Sequence, residues 1–389
     1  MRTVRTPHAS LLSLVAVGLA GATACAAAAQ QDTRTVETDA GRTVVEPLAS
    51  GLVHPWGMAL LPDGRLLVTE RAGRLRVWSA DAGLSEPVAG IPEVWANGQG
   101  GLLDVALAPD FETSRLVYLS YARPGPDGGA ATALGRARFE DDRLTGFERI
   151  FTEEPWIEGP NHFGGRIVFT DRGTLFLTLG ERFQFDPAQD TTNHLGTVVH
   201  LQMDGSIPQD NPFVGGAGAD AIWSYGHRNI EAAALHPETG ELWIAEMGPR
   251  GGDELNQPQA GRNYGWPLVS WGRHYDGRDI PDPPTRPELA DAAVHWTPVI
   301  SPSGMAFYRG DAFPAWEGSA LIGGLTAEGL VRVTIDGDAA TEVERIALGA
   351  RIRDVEVASD GTLYVLTDQE DGDLWRLAPA RGAEAGAGR

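Results

Sequence analysis

The chain has 389 residues, with 53 acidic and 31 basic side chains and a formal net charge of −22; every basic residue is Arg, and Cys25 is the one cysteine. That acid excess excludes wholesale binding to a nucleic-acid backbone and makes an anionic membrane surface an equally poor partner. Without Lys there is no Schiff-base chemistry, no Walker-type phosphate loop and no lysine base, and one Cys allows neither an internal disulfide nor a cysteine-built zinc site.

Residues 1–29 read as an export signal peptide. Arg2 and Arg5 give a basic start, and Leu11 to Ala22 is an apolar run, shorter than the ~20 residues that span a bilayer. Ala27-Ala28-Ala29 before Gln30 fits cleavage after small residues. Cys25 stands just past the apolar run, where a bacterial lipoprotein carries its lipidated cysteine, although Ala22-Thr23-Ala24 lacks the usual Leu. The expected location is periplasmic or secreted, either free or lipid-anchored at Cys25. Residues 30–46 are expected to form an N-terminal linker.

Between residues 47 and 379 one phrase recurs: an apolar run, a Pro/Asp/Gly turn, and a second apolar or aromatic run. The copies are Trp56–Leu61 with Leu66–Thr69, Leu102–Leu107 with Leu116–Ser120, Ile167–Phe169 with Leu175–Thr178, Ala232–Leu235 with Leu242–Ala245, Met305–Phe307 with Ala320–Ile322, and Val355–Val357 with Leu363–Leu366. Asp and Gly tolerate positive φ, so such turns between β-rich runs signal hairpins. No long 3.6-residue period interrupts them, and 49 Gly and 26 Pro punctuate the chain. Six copies at regular spacing fit an all-β propeller better than a pair of β-sandwiches. The Pro-rich stretch from Arg273 to His295 should be irregular, and residues 380–389 should be a disordered Gly/Ala-rich tail.

Residues that carry chemistry gather in four places. His162, in Asn161–Arg166, precedes the third hairpin, and a neutral His suits a general base; alone it is as readily a structural loop residue. Arg228 and Asn229, in Tyr225–Asn229, could hold an anionic or carbonyl-rich ligand, or Arg228 could be a surface ion pair. Glu246 to Asn256 combines acids with exposed carbonyls in a Gly-rich loop, which suits calcium without being an EF-hand. Arg351 and Arg353 alternate on a strand and, facing one way, would suit a multiply charged anion; the alternative is a solvated strand face.

Together these stretches resemble the soluble sugar dehydrogenases that depend on pyrroloquinoline quinone (PQQ), the glucose/sorbosone dehydrogenase family, and most of all its bacterial aldose sugar dehydrogenase branch. The resemblance runs from about Val53 to Leu377. It rests on Asn97–Asp104, His162–Arg166, Leu179–Glu181, Tyr225–Asn229, Gly248–Glu254, Asn263–Pro267, Ser301–Met305 and Arg351–Asp354. It implies a six-bladed propeller with long loops over one face, matching the six hairpins. It also implies oxidation of aldose sugars at the anomeric carbon to lactones, by hydride transfer to PQQ with Ca2+ as second cofactor. A quinone or a redox protein would be the external electron acceptor; monomer and dimer both remain open.

Carried over residue by residue, the resemblance makes His162 the base that takes the anomeric hydroxyl proton, oriented by Glu181. Arg228 would polarise the quinone carbonyl. Asn229 and Gln99 would contact the cofactor, Arg351 and Arg353 would pair with its carboxylates, and Thr326 and Tyr275 would line the same pocket. The carbonyls of Gly248 and Pro249 would ligate the cofactor-bound calcium, and Glu254 with the Tyr264 carbonyl a second, structural one. Met247 stands where relatives often have a polar residue, and the absence of Lys removes a carboxylate contact that some relatives make. Two other readings compete: a calcium-dependent lactonase or esterase-like six-bladed propeller, with its metal held by side chains from several blades, and a non-catalytic propeller that binds a partner or glycan. The arginine set argues against the hydrolase, which gains nothing from it.

Overall fold

Each of the six hairpins forms the two inner strands of an antiparallel sheet, and the six sheets are the blades of a propeller. The computed structural model describes residues 32–380; the expected signal segment with Cys25, and residues 381–389 of the expected tail, lie outside them. Blade 1 comprises Pro55–Leu60, Leu66–Glu70, Arg74–Ser79 and Gly83–Leu84, and blade 2 Leu102–Leu107, Leu116–Pro124, Ala130–Glu140 and Arg143–Thr152. Blade 3 comprises Gly164–Phe169, Thr174–Leu179, Thr197–Gln202 and Ile222–Tyr225, and blade 4 Ile230–Leu235, Leu242–Glu246, Asp253–Asn256 and Val294–Trp296. Blade 5 comprises Pro302–Phe307, Ala320–Gly324, Gly329–Asp336 and Ala339–Ala347.

Blade 6 corrects the sequence reading. Its inner strands are Ile352–Val357, Leu363–Thr367 and Gly372–Pro379, and the outer ones come from the N-terminal side: Gly41–Leu52 pairs with Gly372–Pro379, and Arg34–Thr38 pairs with Gly41–Leu52. Most of the expected linker is thus sheet. Thr-Val-Val alternates buried and half-buried positions, and Val45 packs into the core beneath Trp375 and Leu377. Pairing the first segment with the last closes the ring and leaves no broken blade. The region from Arg273 to His295 is mostly irregular, as expected, with one 3-10 turn at Pro283–Thr285.

The core is partitioned between blades. One cluster joins blades 1 and 2 through Leu67, Leu102 and Phe139, another blades 5 and 6 through Trp316, Leu321 and Trp375, and similar clusters fill the other four junctions. Hydroxyls stitch neighbouring blades: Thr69 donates to the Leu103 carbonyl, Ser120 to that of Gly165, Thr178 to that of Ile230, and Ser303 to that of Ile352.

Two backbone features recur in all six blades and set the positions of residues at the axis and on one face. The first is a register shift near the start of every innermost strand, at residues 55–58, 102–105, 164–167, 230–232, 302–305 and 352–354. A bulge re-aims a side chain, and here it turns polar residues toward the axis. Gly57 and Gly304 must be glycine there: a Cβ would lie 2.6 Å from an Asp104 carboxylate oxygen and 2.3 Å from one of Asp354. The second is a hydrogen bond from a residue near the end of each second strand to the carbonyl of a residue just ahead of the first. The pairs are Arg71–His54, Ala122–Gly101, Arg182–His162, Met247–Asn229, Leu325–Ser301 and Asp368–Arg351, at 2.8–3.2 Å. These twelve residues therefore ring one face of the propeller.

Candidate active site

A cavity of about 620 Å³ opens on that face. It is lined by Gln99, His162, Arg228, Met247, Gly248, Pro249, Tyr275 and Ser301, among others. All but Tyr275 come from a loop that enters an innermost strand or follows a second strand, and Tyr275 comes from the long connection between the third and fourth strands of blade 4, so the repeat delivers residues far apart in sequence to one place.

His162 is 5 % exposed and sits in the left-handed region, φ +53°. Three bonds hold it there. Its N–H donates to Gln99 Oε1 at 2.6 Å, its carbonyl accepts the Arg182 N–H at 3.2 Å, and its ring Nδ1 meets Glu181 Oε1 at 2.7 Å. Glu181, fully buried, is itself fixed by the Phe185 N–H at 2.9 Å. With Nδ1 engaged by a carboxylate, Nε2 is the nitrogen that can accept a proton from the cavity, the arrangement of an oriented general base. Burial pulls the imidazole pKa below its ordinary value and the Arg228 charge lowers it further, while the Glu181 contact works to raise it.

Arg228 is 3 % exposed. Its backbone N–H is held by Glu246 Oε2 at 2.7 Å, and Glu246 in turn takes the buried His227 Nδ1 at 2.8 Å. Its guanidinium lies over the rings of Trp266 and Tyr275, donates to the Met247 and Gly248 carbonyls at 2.8 and 2.7 Å, and to the Tyr275 hydroxyl at 3.2 Å. Among the described residues no carboxylate hydrogen-bonds to its guanidinium, Asp253 acting on it only through its charge, and its buried Nε has no acceptor. A buried guanidinium without a counter-ion is costly unless a ligand supplies negative charge. The Gly248 carbonyl expected to face calcium is thus already a guanidinium acceptor, with its second lone pair left over; Pro249 lines the cavity.

Four of the expected cofactor contacts stand behind or beside this cavity. Asn229 is fully buried, accepting from the Gly164 N–H at 3.2 Å and donating to Glu231 at 3.0 Å. Thr326 is exposed on a loop at the mouth, its hydroxyl 2.5 Å from that of cavity-lining Ser301. Arg351 and Arg353 do not share one strand face. Arg351 lies outside the strand with its side chain 45 % exposed, while the bulge at residues 352–354 turns Arg353 inward to 5 %. Both pair with Asp368 Oδ2, at 3.1 and 3.0 Å, and Arg353 also pairs with Glu231. The Nε of Arg353 has no acceptor.

For metal, no group of three or more His, Cys, Asp or Glu side chains among the described residues could hold an ion. A cation here would rely on carbonyls plus single carboxylates. Glu254 and Tyr264 do meet, at a small inner cavity of about 10 Å³ that Gly248, Glu246 and Arg228 also line. The Glu254 carboxylate has one hydrogen bond, from Asn256 at 3.1 Å, and the buried Asn256 Oδ1 has none. Burial and the adjacent Glu246 charge push the Glu254 pKa well up. A carboxylate with one hydrogen bond at a gap, with an unused amide oxygen on the Asn256 that bonds it, suits a hard cation.

Sequence reasoning assigns no role to three residues that hold the site in place, although Asp253 and Arg166 stand inside quoted motifs. Asp253 fixes the calcium-loop candidate to the blade 5 entry, accepting from Gly248 at 2.8 Å and from Ile300 and Ser301 at 2.8 and 2.6 Å; burial lifts its pKa to about 6. Arg182, 1 % exposed, donates to the carbonyls of Gly159, Asn161 and Ala130 and pins the loop that carries His162. Arg166 ends the His162 motif, yet nothing local assigns it a role. It occupies the axis, bridging Asp104 and Asp354 at 3.1 and 3.0 Å. Those axial carboxylates are therefore spoken for, as Glu231 is by Arg353, which disfavours a hydrolase metal centre built from them.

Comparison with known proteins shows the family. The family model described as Glucose / Sorbosone dehydrogenase matches residues 52–376. The aldose sugar dehydrogenase YliI of Escherichia coli (strain K12) is 48% identical over 345 residues, covering 86% of this chain and 92% of that one. The crystal structure of the soluble aldose sugar dehydrogenase from Escherichia coli in its apo-form is 46% identical, covers 87% of this chain and 100% of that one, and superposes with a TM-score of 0.83. The PQQ-bound aldose sugar dehydrogenase of Streptomyces coelicolor is 28% identical with a TM-score of 0.71, covering 86% and 98%. The chain belongs to the glucose/sorbosone dehydrogenase family.

Proposed function

We propose that this family member oxidises aldose sugars at the anomeric carbon to lactones, with PQQ as hydride acceptor and calcium as second cofactor. The observation that carries the reading is the shared cavity. His162, oriented by the buried Glu181, and the Arg228 guanidinium, which has no carboxylate in hydrogen-bond contact, line one space large enough for a sugar and a flat cofactor. PQQ is a polyanion, and the unpaired Nε donors of Arg228 and Arg353, with the half-exposed Arg351, fit it. When bound, it supplies an electrophilic quinone carbonyl that accepts hydride.

The chain's own residues do the rest. His162 Nε2 takes the anomeric hydroxyl proton as hydride leaves the same carbon, and Glu181 stabilises the imidazolium that forms. Arg228 directs its positive charge at the oxygen where negative charge develops. Pro249 and the second lone pair of Gly248 would hold one calcium beside it, and Glu254 with the Tyr264 carbonyl the other. His162 returns its proton to solvent, and an external quinone or redox protein takes the electrons. An exported protein, cleaved after the Ala27–Ala29 segment, would meet sugars and that acceptor in the periplasm.

His162→Ala tests the reading. Losing a general base costs ~10²–10⁴-fold in rate, so turnover with aldoses should fall by at least the lower figure. Binding of PQQ, followed by absorbance or fluorescence titration, should stay near wild type. Wild-type protein that oxidises no aldose when supplied with PQQ and calcium would overturn the reading. A His162→Ala variant that keeps more than about a tenth of turnover would move the base elsewhere.

A further inference from the structure

The recurring backbone bond makes one residue per blade equivalent at the mouth. In blade 4 it is Met247, which lines the cavity; in blade 6 it is Asp368, which holds Arg351 and Arg353; in blade 1 it is Arg71, bonded to the His54 carbonyl. Arg71 thus starts from the site face by the same register. Its guanidinium reaches across to the Gly98 carbonyl at 2.9 Å, beside cavity-lining Gln99. It lies near enough to Asp368, Arg353, Glu231 and Arg351 to feel each of their charges. In a chain with this excess of acid, no carboxylate among the described residues hydrogen-bonds to it, and its Nε is buried without an acceptor.

Arg351 and Arg353 pair with Asp368, Arg353 also with Glu231, and the Arg71 charge acts on both carboxylates, so three guanidinium groups share two carboxylates beside the cavity. Unpaired N–H donors remain on Arg71 and Arg353. Such a surplus needs an anion to complete it. Resting on the functional reading above, we propose that Arg71 is a third cation of this anion-binding end and bonds a carboxylate of the cofactor together with Arg351 and Arg353. Nothing in the sequence marks Arg71, which follows the second strand of blade 1 as one more polar loop residue.

The test is equilibrium titration of the cofactor-free chain with PQQ in calcium buffer, read by quenching of tryptophan fluorescence and checked by calorimetry. A hydrogen bond between charged partners is worth enough that Arg71→Gln should weaken binding about ten- to hundred-fold. Arg71→Lys keeps the charge without the planar fork and should fall between the two. Melting without PQQ should hold, since Arg71 gives up one bond to a loop carbonyl. Arg71→Gln binding within twofold of wild type overturns the assignment while leaving the function standing. A wild-type chain that does not bind PQQ overturns both.

Discussion

Replacing Arg166 by Met should loosen the whole propeller. From blade 3, Arg166 donates to the Glu231 carbonyl of blade 4 at 2.7 Å and to the Ser303 carbonyl of blade 5 at 2.5 Å, and bridges Asp104 of blade 2 and Asp354 of blade 6. It also lies over the Trp56 ring of blade 1, 4.2 Å from its centroid. One side chain, 5 % exposed, thus touches all five other blades. Met fills much of the volume but leaves two buried carboxylates face to face. Removing one partner of a buried ion pair costs ~3–5 kcal/mol. With an unfolding entropy of roughly 2.1 cal/mol/K per residue, that becomes a fall in Tm of about 4–7 °C for a domain of this size.

The pH dependence sharpens this test. Burial and the Asp104 charge already raise Asp354 to about 6, with Arg166 pulling it down, and Asp104 is raised as well. Without Arg166 both rise further above their unfolded values. A group whose folded pKa is raised costs stability as pH climbs past the unfolded pKa, and the full cost is reached above the folded one. The Tm deficit of Arg166→Met should therefore be larger at pH 8 than at pH 5, read by calorimetry with the same calcium in both buffers. A deficit under about 2 °C at pH 8, or one equal at both pH values, would refute the role of Arg166 as axial clasp.

Glu181→Gln should lower turnover ~10²–10⁴-fold, because an amide can hold His162 in the wrong tautomer. It should also move the acid limb of kcat/KM, expected in wild type below the ordinary His value, to still lower pH; burial and the Arg228 charge lower the His162 pKa while the Glu181 carboxylate raises it, and a limb that moves upward would contradict this. Glu254→Gln should shrink the rise in Tm that calcium gives over chelator, since a metal that binds only the folded chain stabilises by mass action, by about 2.7 kcal/mol at a hundred times Kd. An undiminished calcium shift in differential scanning fluorimetry would remove Glu254 from the ligands.

The sequence by itself determined the hairpins and the two polar anchors of the site. Apolar runs broken by Asp-Gly and Pro turns are local signals, and each of the six became the inner strands of a blade. His162 and Glu181 were legible because the motifs around them are short and contiguous, and their hydrogen bond needs only the hairpin of blade 3 to bring them together. Tertiary structure decided the rest. Residues 30–46 read as a linker because Gly41–Leu52, the strand that closes the ring, finds its blade only in the last strand, Gly372–Pro379, at the other end of the chain; Arg34–Thr38 then adds to Gly41–Leu52 as a local hairpin. Alternation puts Arg351 and Arg353 on one face, but a bulge between Ile352 and Asp354 breaks that period and buries one of them. Arg166, Arg182 and Arg71 gain their roles from carbonyls and charges brought in by other segments of the ring. A closed ring makes neighbours of residues a hundred or more positions apart, and no local pattern encodes which of them will meet at its axis.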